Sequence, residues 1–290
     1  RLSDMDFFDA ILLGIVQGAT EFLPISSSGH LVLGQYVLGL NQPPLLFDIV
    51  LHVGTLAAVL GFYRRDLGLV SYGLYRGARR ALESPSWRAG LDPEGARLAL
   101  LIGIGTIPTA ILGVAVDEFL PVERGTLTAA IFVCAMLVVN GVVLFSGRWA
   151  QEDGSADREG TAVLWNITIP VALALGFAQG LAVLPGLSRS GLTIIAALLL
   201  GVWRSEAARF SFLLSVPAIL GALVLKFDPA VFSGPEYQTQ LAIFGAGAAV
   251  AAFVGYVAID LLVKIIERAQ FHHFSWYCWA VGALGLVVLL

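Results

Sequence analysis

Charge is what this 290-residue chain has least of: 13% of its residues are Asp, Glu, Lys or Arg, against about 25% in an average protein. Set beside a hydrophobic content of 58%, that shortage excludes a soluble globular chain. It also excludes a disordered one, because disordered chains are poor in large apolar residues. Cysteine is nearly absent. Cys134 and Cys278 each lie inside an apolar run, so neither a disulfide framework nor a cysteine zinc cluster is open to the chain. The formal net charge of −4 is too small to point to nucleic acid as a partner. The opening residues RLSDMDFFDA lack the basic stretch expected ahead of a cleaved signal peptide, so none is expected. The alternating strands of about ten residues that mark a transmembrane barrel are missing as well.

What the chain does have is apolar blocks, near 6–23, 29–40, 45–63, 97–116, 126–146, 161–184, 191–203, 208–226, 238–263 and 273–290, separated by polar punctuation. Two blocks hold helical pieces too short to span. Residues 29–40 and 192–203 would each make about 18 Å of helix against about 30 Å of bilayer core. They are expected to dip in and return. The fold class that follows is an all-α polytopic membrane protein with six transmembrane helices and two re-entrant helix pairs, 6–40 and 161–203.

Each short piece follows a polar turn, LPISSSGH at 23–30 and LPGLSRSGLT at 184–193. Sliding the chain on itself by 162 residues pairs Gly14 with Gly176, Gln17 with Gln179, Gly18 with Gly180, Ser26 with Ser188, Ser28 with Ser190 and Gly29 with Gly191. The matches fall at the same places in a helix, turn, short-helix unit, which points to an internal duplication: a first repeat over 1–146, a linker at 147–160 on the cytoplasmic side, and a second repeat over 161–290. With three full spans between the units, the second enters from the opposite face, so the repeats are expected to be inverted. Folds of that kind place helix ends and polar turns at the bilayer midplane.

Lysine and arginine give the orientation. Thirteen basic residues fall in the loops 64–97, 147–160, 203–209 and 264–271, and three fall on the other side: Arg1, Arg124 and Lys226. Positive residues favour the cytoplasm, so both termini are expected outside it. Arg189 belongs to neither group. It sits in a turn expected at the membrane midplane, where an ionisable group is costly unless it serves a function.

Around the two turns stand Glu21, Ser26, Ser27, Ser28, His30, Ser188, Arg189 and Ser190. Each turn starts a short helix whose leading N–H groups and partial positive charge favour an anion. Arg189 adds a planar, permanently charged donor fork suited to phosphate. Two converging anion sites suit a diphosphate. Elsewhere, Asp9, Asp48 and Asp260 read as interfacial or supporting groups, His52 as a packed or helix-facing histidine, and His272 with His273 as an interfacial anchor.

The run GIVQGATEFLPISSSGH at 14–30, with FDIVLHVGTLAAV at 47–59 and PGLSRSGLT at 185–193, resembles the undecaprenyl-pyrophosphate phosphatase family, bacterial integral membrane enzymes linked to bacitracin resistance. The likeness extends over essentially the whole chain. The family's (E/Q)xxxE motif falls at Gln17 and Glu21. Its PGxSRSxxT motif falls at Pro185, Gly186, Ser188, Arg189, Ser190 and Thr193, and its essential histidine at His30. Gln17 stands where other members have Glu, which removes one carboxylate and weakens any scheme in which both residues bind metal.

The resemblance implies hydrolysis of undecaprenyl pyrophosphate to undecaprenyl phosphate and inorganic phosphate, recycling the lipid carrier of peptidoglycan synthesis in the bacterial inner membrane. Membrane lipids and a polyprenyl pyrophosphate are then the partners, and the active site is expected to open on the non-cytoplasmic side. Arg189 and the two helix N-termini would hold the diphosphate. Ser27 is the preferred nucleophile, with His30 taking its proton or stabilising a phosphoenzyme, and His30 as nucleophile is the variant. Gln17, Ser26, Ser28, Gly186, Ser188, Ser190 and Thr193 would contact substrate. Family members depend on Mg²⁺ or Ca²⁺, and Glu21 would orient His30 or coordinate that cation together with substrate oxygens. The competing reading is a lipid-phosphate flippase or anion transporter using the same midplane site. The grouping of Ser27, His30 and Glu21 argues against it, since a carrier needs no nucleophile.

Overall fold

The structure is a computed structural model that describes residues 5–40, 45–83, 94–119, 126–150, 167–226 and 237–290. Among them the elements are helices: α1 (Phe7–Phe22), α2 (Ser27–Val37), α3 (Leu45–Phe62), α4 (Arg64–Glu83), α5 (Glu94–Phe119), α6 (Leu127–Ser146), α7 (Ile169–Leu181), α8 (Arg189–Leu199), α9 (Arg204–Lys226), α10 (Tyr237–Glu267) and α11 (Phe274–Leu289). Five stretches are long and apolar enough to cross a bilayer unaided: Glu94–Val116, Leu127–Trp149, Arg204–Leu225, Gln240–Glu267 and Phe271–Leu289. A sixth crossing is counted when α3 and α4 are taken together, bent by 77° at their junction. The chain is a polytopic helical membrane protein.

The arginine-rich stretch 64–97, expected as a loop, carries a 20-residue helix, α4. Its composition is too polar for the apolar-block reading to register. Within it Arg79 and Glu83 pair one turn apart at 2.8 Å on the exposed face, and Gly73 and Gly77 are buried. A Cβ on Gly73 would lie 2.4 Å from the backbone nitrogen of Ala96 in α5. Asp66 in α4 pairs with Arg209 in α9, which fixes the bend. The expected linker 147–160 is described only as far as Ala150, and 151–166, with Arg1, Arg88, Arg124 and Arg158 of the charge count, lies outside the described residues.

Among the described residues four helices, α1, α2, α7 and α8, lie outside these crossings. α1 has 16 residues, α7 has 13, and α2 and α8 have 11 each. At 1.5 Å per residue these are about 24, 20 and 17 Å, short of about 30 Å of hydrocarbon. α1 packs on α2 and α7 on α8, while α1 also lies along α10 and α7 along α5. Small residues let those backbones touch. A Cβ on Gly14 would come 2.5 Å from the carbonyl oxygen of Gly247, and one on Gly176 would come 1.9 Å from that of Gly105. In lipid, where apolar surface gains little by association, such close packing and interhelical hydrogen bonds hold helices together. Thr109 Oγ1 supplies one, donating to Gly176 O at 2.8 Å. On the other side of the molecule α6 packs on α11, with Trp279 Nε1 donating to Val138 O at 3.1 Å. Helix α6 also packs on both α2 and α8, the helices that follow the two turns.

Candidate active site

Both turns are built the same way. α1 ends at Phe22, and Leu23 is extended, so Pro24 can follow without a helical N–H. Ser26 then caps α2, its Oγ accepting from Gly29 N at 3.2 Å and lying 3.4 Å from Ser28 Oγ. In the second turn Ser188 caps α8, its Oγ accepting from Gly191 N at 3.0 Å and lying 3.1 Å from Ser190 Oγ. The paired serines expected from the sequence thus adopt matching roles, the first of each as a helix cap. Ser26 takes a positive φ of 70°, a strained conformation for a residue with a Cβ.

The turns meet. A Cβ on Gly29 would lie 3.1 Å from Gly186 Cα, and Ser190 Oγ donates to Leu23 O at 3.4 Å. Asn140, from α6, staples them: its Nδ2 donates to Pro24 O at 2.9 Å, and its Oδ1 accepts from Ser188 N at 2.9 Å. Arg189 crosses from the second turn to the first and pairs through Nη2 with Glu21 Oε1. The other guanidinium nitrogen, Nη1, is buried with no hydrogen-bond partner. An unspent donor of a permanent cation in a buried site is a place for an anion.

Glu21 is the hub. Its Oε2 accepts from Ser27 Oγ at 2.5 Å and from Gln17 Nε2 at 3.0 Å. Gln17 Oε1 is buried and unpartnered. Ser27 therefore donates to Glu21 in this arrangement, while both ring nitrogens of His30 are engaged elsewhere. The reason is local. His30 Nδ1 bonds back to Ser26 O at 2.8 Å, one turn behind, which aims the ring at α11, where Nε2 lies 2.8 Å from the hydroxyl of Tyr277.

Other expected site residues are placed as follows. Gly186 is buried in the second turn. It has φ 101°, and a Cβ there would lie 2.5 Å from Met136 Cβ and 2.7 Å from Val133 O, so it lets the second turn close against α6. Thr193 is fully buried. Its hydroxyl donates to Arg189 O at 2.8 Å and meets Ser211 Oγ, so it holds the base of α8. Asp48 accepts from Gln35 Nε2 at 2.8 Å, Asp9 shares a capping box with Asp6, and Asp260 pairs with Lys264.

Three residues join the site that the sequence reading left out. His52 bonds through Nδ1 to Asp48 O at 2.7 Å, the helix-facing contact expected of it, but its Nε2 also reaches within 3.8 Å of Glu21 Oε2. Asn140 and Tyr277 come from α6 and α11. The one available signal was their type: a carboxamide at position 140 among apolar residues, where polar groups in lipid need partners.

The assembled parts can do phosphoryl chemistry. A serine hydroxyl is held on a carboxylate able to accept its proton. An arginine with an unspent donor and two helix N-termini provide charge neutralisation. Among the described residues no three His, Cys, Asp or Glu side chains converge in a way that would hold a metal ion, and both oxygens of Glu21 are engaged.

Residues 10–284 match the protein-family model described as Bacitracin resistance protein BacA. The chain is 42% identical over 282 residues to the undecaprenyl-diphosphatase of Desulfosudis oleivorans, covering 97% of this chain and 98% of that protein. It is 42% identical over 288 residues to the undecaprenyl-diphosphatase of Desulfatibacillum aliphaticivorans, covering 98% and 99%. To that of Rubrobacter xylanophilus it is 38% identical over 288 residues, covering 99% of each chain.

Proposed function

Because the chain belongs to the Bacitracin resistance protein BacA family, we infer that it is an undecaprenyl-diphosphatase, a membrane hydrolase that converts undecaprenyl pyrophosphate to undecaprenyl phosphate and inorganic phosphate and so returns the lipid carrier to peptidoglycan synthesis. The single observation that best supports a chemistry at the paired turns is the Glu21 carboxylate, joined at once to Ser27 of the first turn and Arg189 of the second.

In this reading Ser27 Oγ attacks the terminal phosphorus of the diphosphate and passes its proton to Glu21. The bridging P–O bond breaks, and undecaprenyl phosphate leaves as the anion. A water molecule then attacks the phosphoserine, giving a proton to His30 Nε2. Ser27 Oγ departs and recovers its proton from Glu21, His30 passes the proton it took from water to bulk water as inorganic phosphate leaves, and the resting site is restored. Arg189 Nη1 and the leading N–H groups of α2 and α8 bind the phosphoryl oxygens, where charge is spread during transfer. Ser26 and Ser188 hold those helix starts in shape, Ser28 and Ser190 stand beside them, and Gln17 offers its free carbonyl to a phosphate hydroxyl or water.

A divalent cation, Mg²⁺ or Ca²⁺, would enter as part of the substrate, its charge offsetting that of the diphosphate. The supporting chemistry is the donor set, since a single engaged carboxylate is too sparse for six or more oxygen ligands. Glu21 is the protein ligand it would approach.

The two halves are proposed to be inverted repeats with re-entrant pairs α1–α2 and α7–α8. The reciprocal packing of α1 on α10 and α7 on α5 supports this. The excess of basic residues in one set of loops supports placing the termini and the mouth of the site on the non-cytoplasmic side of the bacterial inner membrane, with the undecaprenyl chain lying among helices in lipid.

The test is phosphate release from undecaprenyl pyrophosphate by purified protein, with the lipid product identified. Wild type should yield undecaprenyl monophosphate, and Arg189→Ala should lose most of the rate. An Arg189→Ala protein as fast as wild type would place the chemistry elsewhere.

A further inference from the structure

We propose that Tyr277 is a positioning residue for His30: at rest its hydroxyl occupies the Nε2 lone pair and fixes the orientation of the imidazole, and it yields that nitrogen when the hydrolytic water enters. The proposal rests on the reading of His30 as the base of the second half-reaction.

The tautomer follows from the two ring contacts. Ser26 O, 2.8 Å from Nδ1, is a carbonyl and can only accept, so Nδ1 carries the proton. In the neutral ring Nε2 is then the acceptor, and the Tyr277 hydroxyl 2.8 Å away donates to it. The rings also lie nearly parallel, with centroids 5.7 Å apart and planes 15° apart. His30 is thus held by a backbone carbonyl of its own turn and by a phenol arriving from α11, 247 residues away.

Tyr277 is itself held where it must be. The next residue, Cys278, is fully buried and accepts from Asn140 Nδ2 at 3.3 Å. That is the same amide group that donates to Pro24 O in the first turn. Two residues on, Trp279 Nε1 bonds to Val138 O at 3.1 Å. The register of α11 against α6 and the first turn is therefore fixed on one side of Tyr277, while its ring remains 42% exposed. A residue packed only for stability has no need of a hydroxyl aimed at Nε2 of the site histidine. When water occupies the site, that hydroxyl is free to bond the water or a phosphoryl oxygen in place of the nitrogen.

The experiment compares steady-state phosphate release from undecaprenyl pyrophosphate by the full-length wild type, Tyr277→Phe, Tyr277→Ala and His30→Ala, with thermal unfolding of each. Tyr277→Phe keeps the stacked ring and removes only the oxygen. It should lower kcat by roughly tenfold or more, with KM within about twofold and an unchanged unfolding midpoint. Tyr277→Ala should show a similar kcat and a lower midpoint. Wild-type kcat in Tyr277→Phe beside an inactive His30→Ala would overturn the role of Tyr277 and leave that of His30 standing. Wild-type kcat in His30→Ala would overturn both. A raised KM at unchanged kcat in Tyr277→Phe would also overturn the proposal, because it would make Tyr277 a contact of the bound lipid.

Discussion

Ser27 and Glu21 are joined directly, Oγ to Oε2 at 2.5 Å, across the turn that separates α1 from α2. In the proposed mechanism this bond gives the serine's proton to a carboxylate and leaves the histidine for the second half-reaction. It also explains why Arg189 pairs with the same carboxylate: an arginine on Oε1 balances the charge that a buried glutamate would otherwise carry alone.

Arg189 is not replaceable by lysine. Its guanidinium serves Glu21 with one nitrogen and keeps a second buried and unpaired, a division that a single ammonium cannot reproduce. Arg189→Lys should lower kcat/KM by at least about tenfold while the protein still folds. Steady-state kinetics beside a thermal melt checks this, and an unchanged kcat/KM would contradict it.

Asn140 should matter for stability as much as for rate. Asn140→Leu fills the same space but strands the buried Ser188 N and leaves the buried Pro24 O with only the weak donor Cys278 Sγ at 3.9 Å. Each group left without a partner costs about 1–3 kcal/mol. The expected outcome is a clear fall in the unfolding midpoint in detergent, with activity reduced because the two turns lose their shared staple. A midpoint equal to wild type would show that the turns hold together without it.

Gly186 and Gly39 make a controlled pair. Both have positive φ, 101° and 69°, but a Cβ on Gly186 runs into α6 whereas one on Gly39 meets nothing within 4 Å. Gly39→Ala should cost only the backbone strain, about 1 kcal/mol. Gly186→Ala adds overpacking of about 1–3 kcal/mol. Equal melting points for the two variants would contradict the crowding argument.

Cation dependence should follow the substrate. EDTA is expected to stop phosphate release and added Mg²⁺ or Ca²⁺ to restore it, while protein dialysed free of chelator carries no stoichiometric metal by elemental analysis. One tightly held ion per chain, surviving EDTA, would contradict a cation that enters with the diphosphate.

The helices and the two turns were legible in the sequence because the signals are local. Apolar run length separates α2 and α8 from the spans, and Ser26, Ser28 and Gly29 find their counterparts at 188, 190 and 191 by a fixed offset. Arg189 was legible by being a charge in an apolar setting. Helix α4 was not, since what seats it is tertiary: Gly73 packed against α5 and Asp66 paired with Arg209 of α9, neither of which raises hydropathy. Asn140, Tyr277 and the approach of His52 to Glu21 were hidden for another reason. They arrive from α6, α11 and α3, and only tertiary packing brings them to the turns. The same holds for the partner of Ser27: spacing alone put His30 on its side of the helix, but the Ser26 carbonyl claims that ring.

The central claim is that the Glu21 carboxylate accepts the proton of Ser27 as the bond to phosphorus forms. Glu21→Gln keeps the shape and its one carbonyl oxygen can still accept from Ser27 and Gln17, but its amide NH2 gives up the Arg189 pairing and it is not a base. The most direct measurement is the single-turnover rate of phosphate release from undecaprenyl pyrophosphate by purified Glu21→Gln protein at saturating enzyme. A fall of about hundredfold or more, with the fold intact by thermal melt, is the predicted result. A single-turnover rate equal to wild type would contradict it.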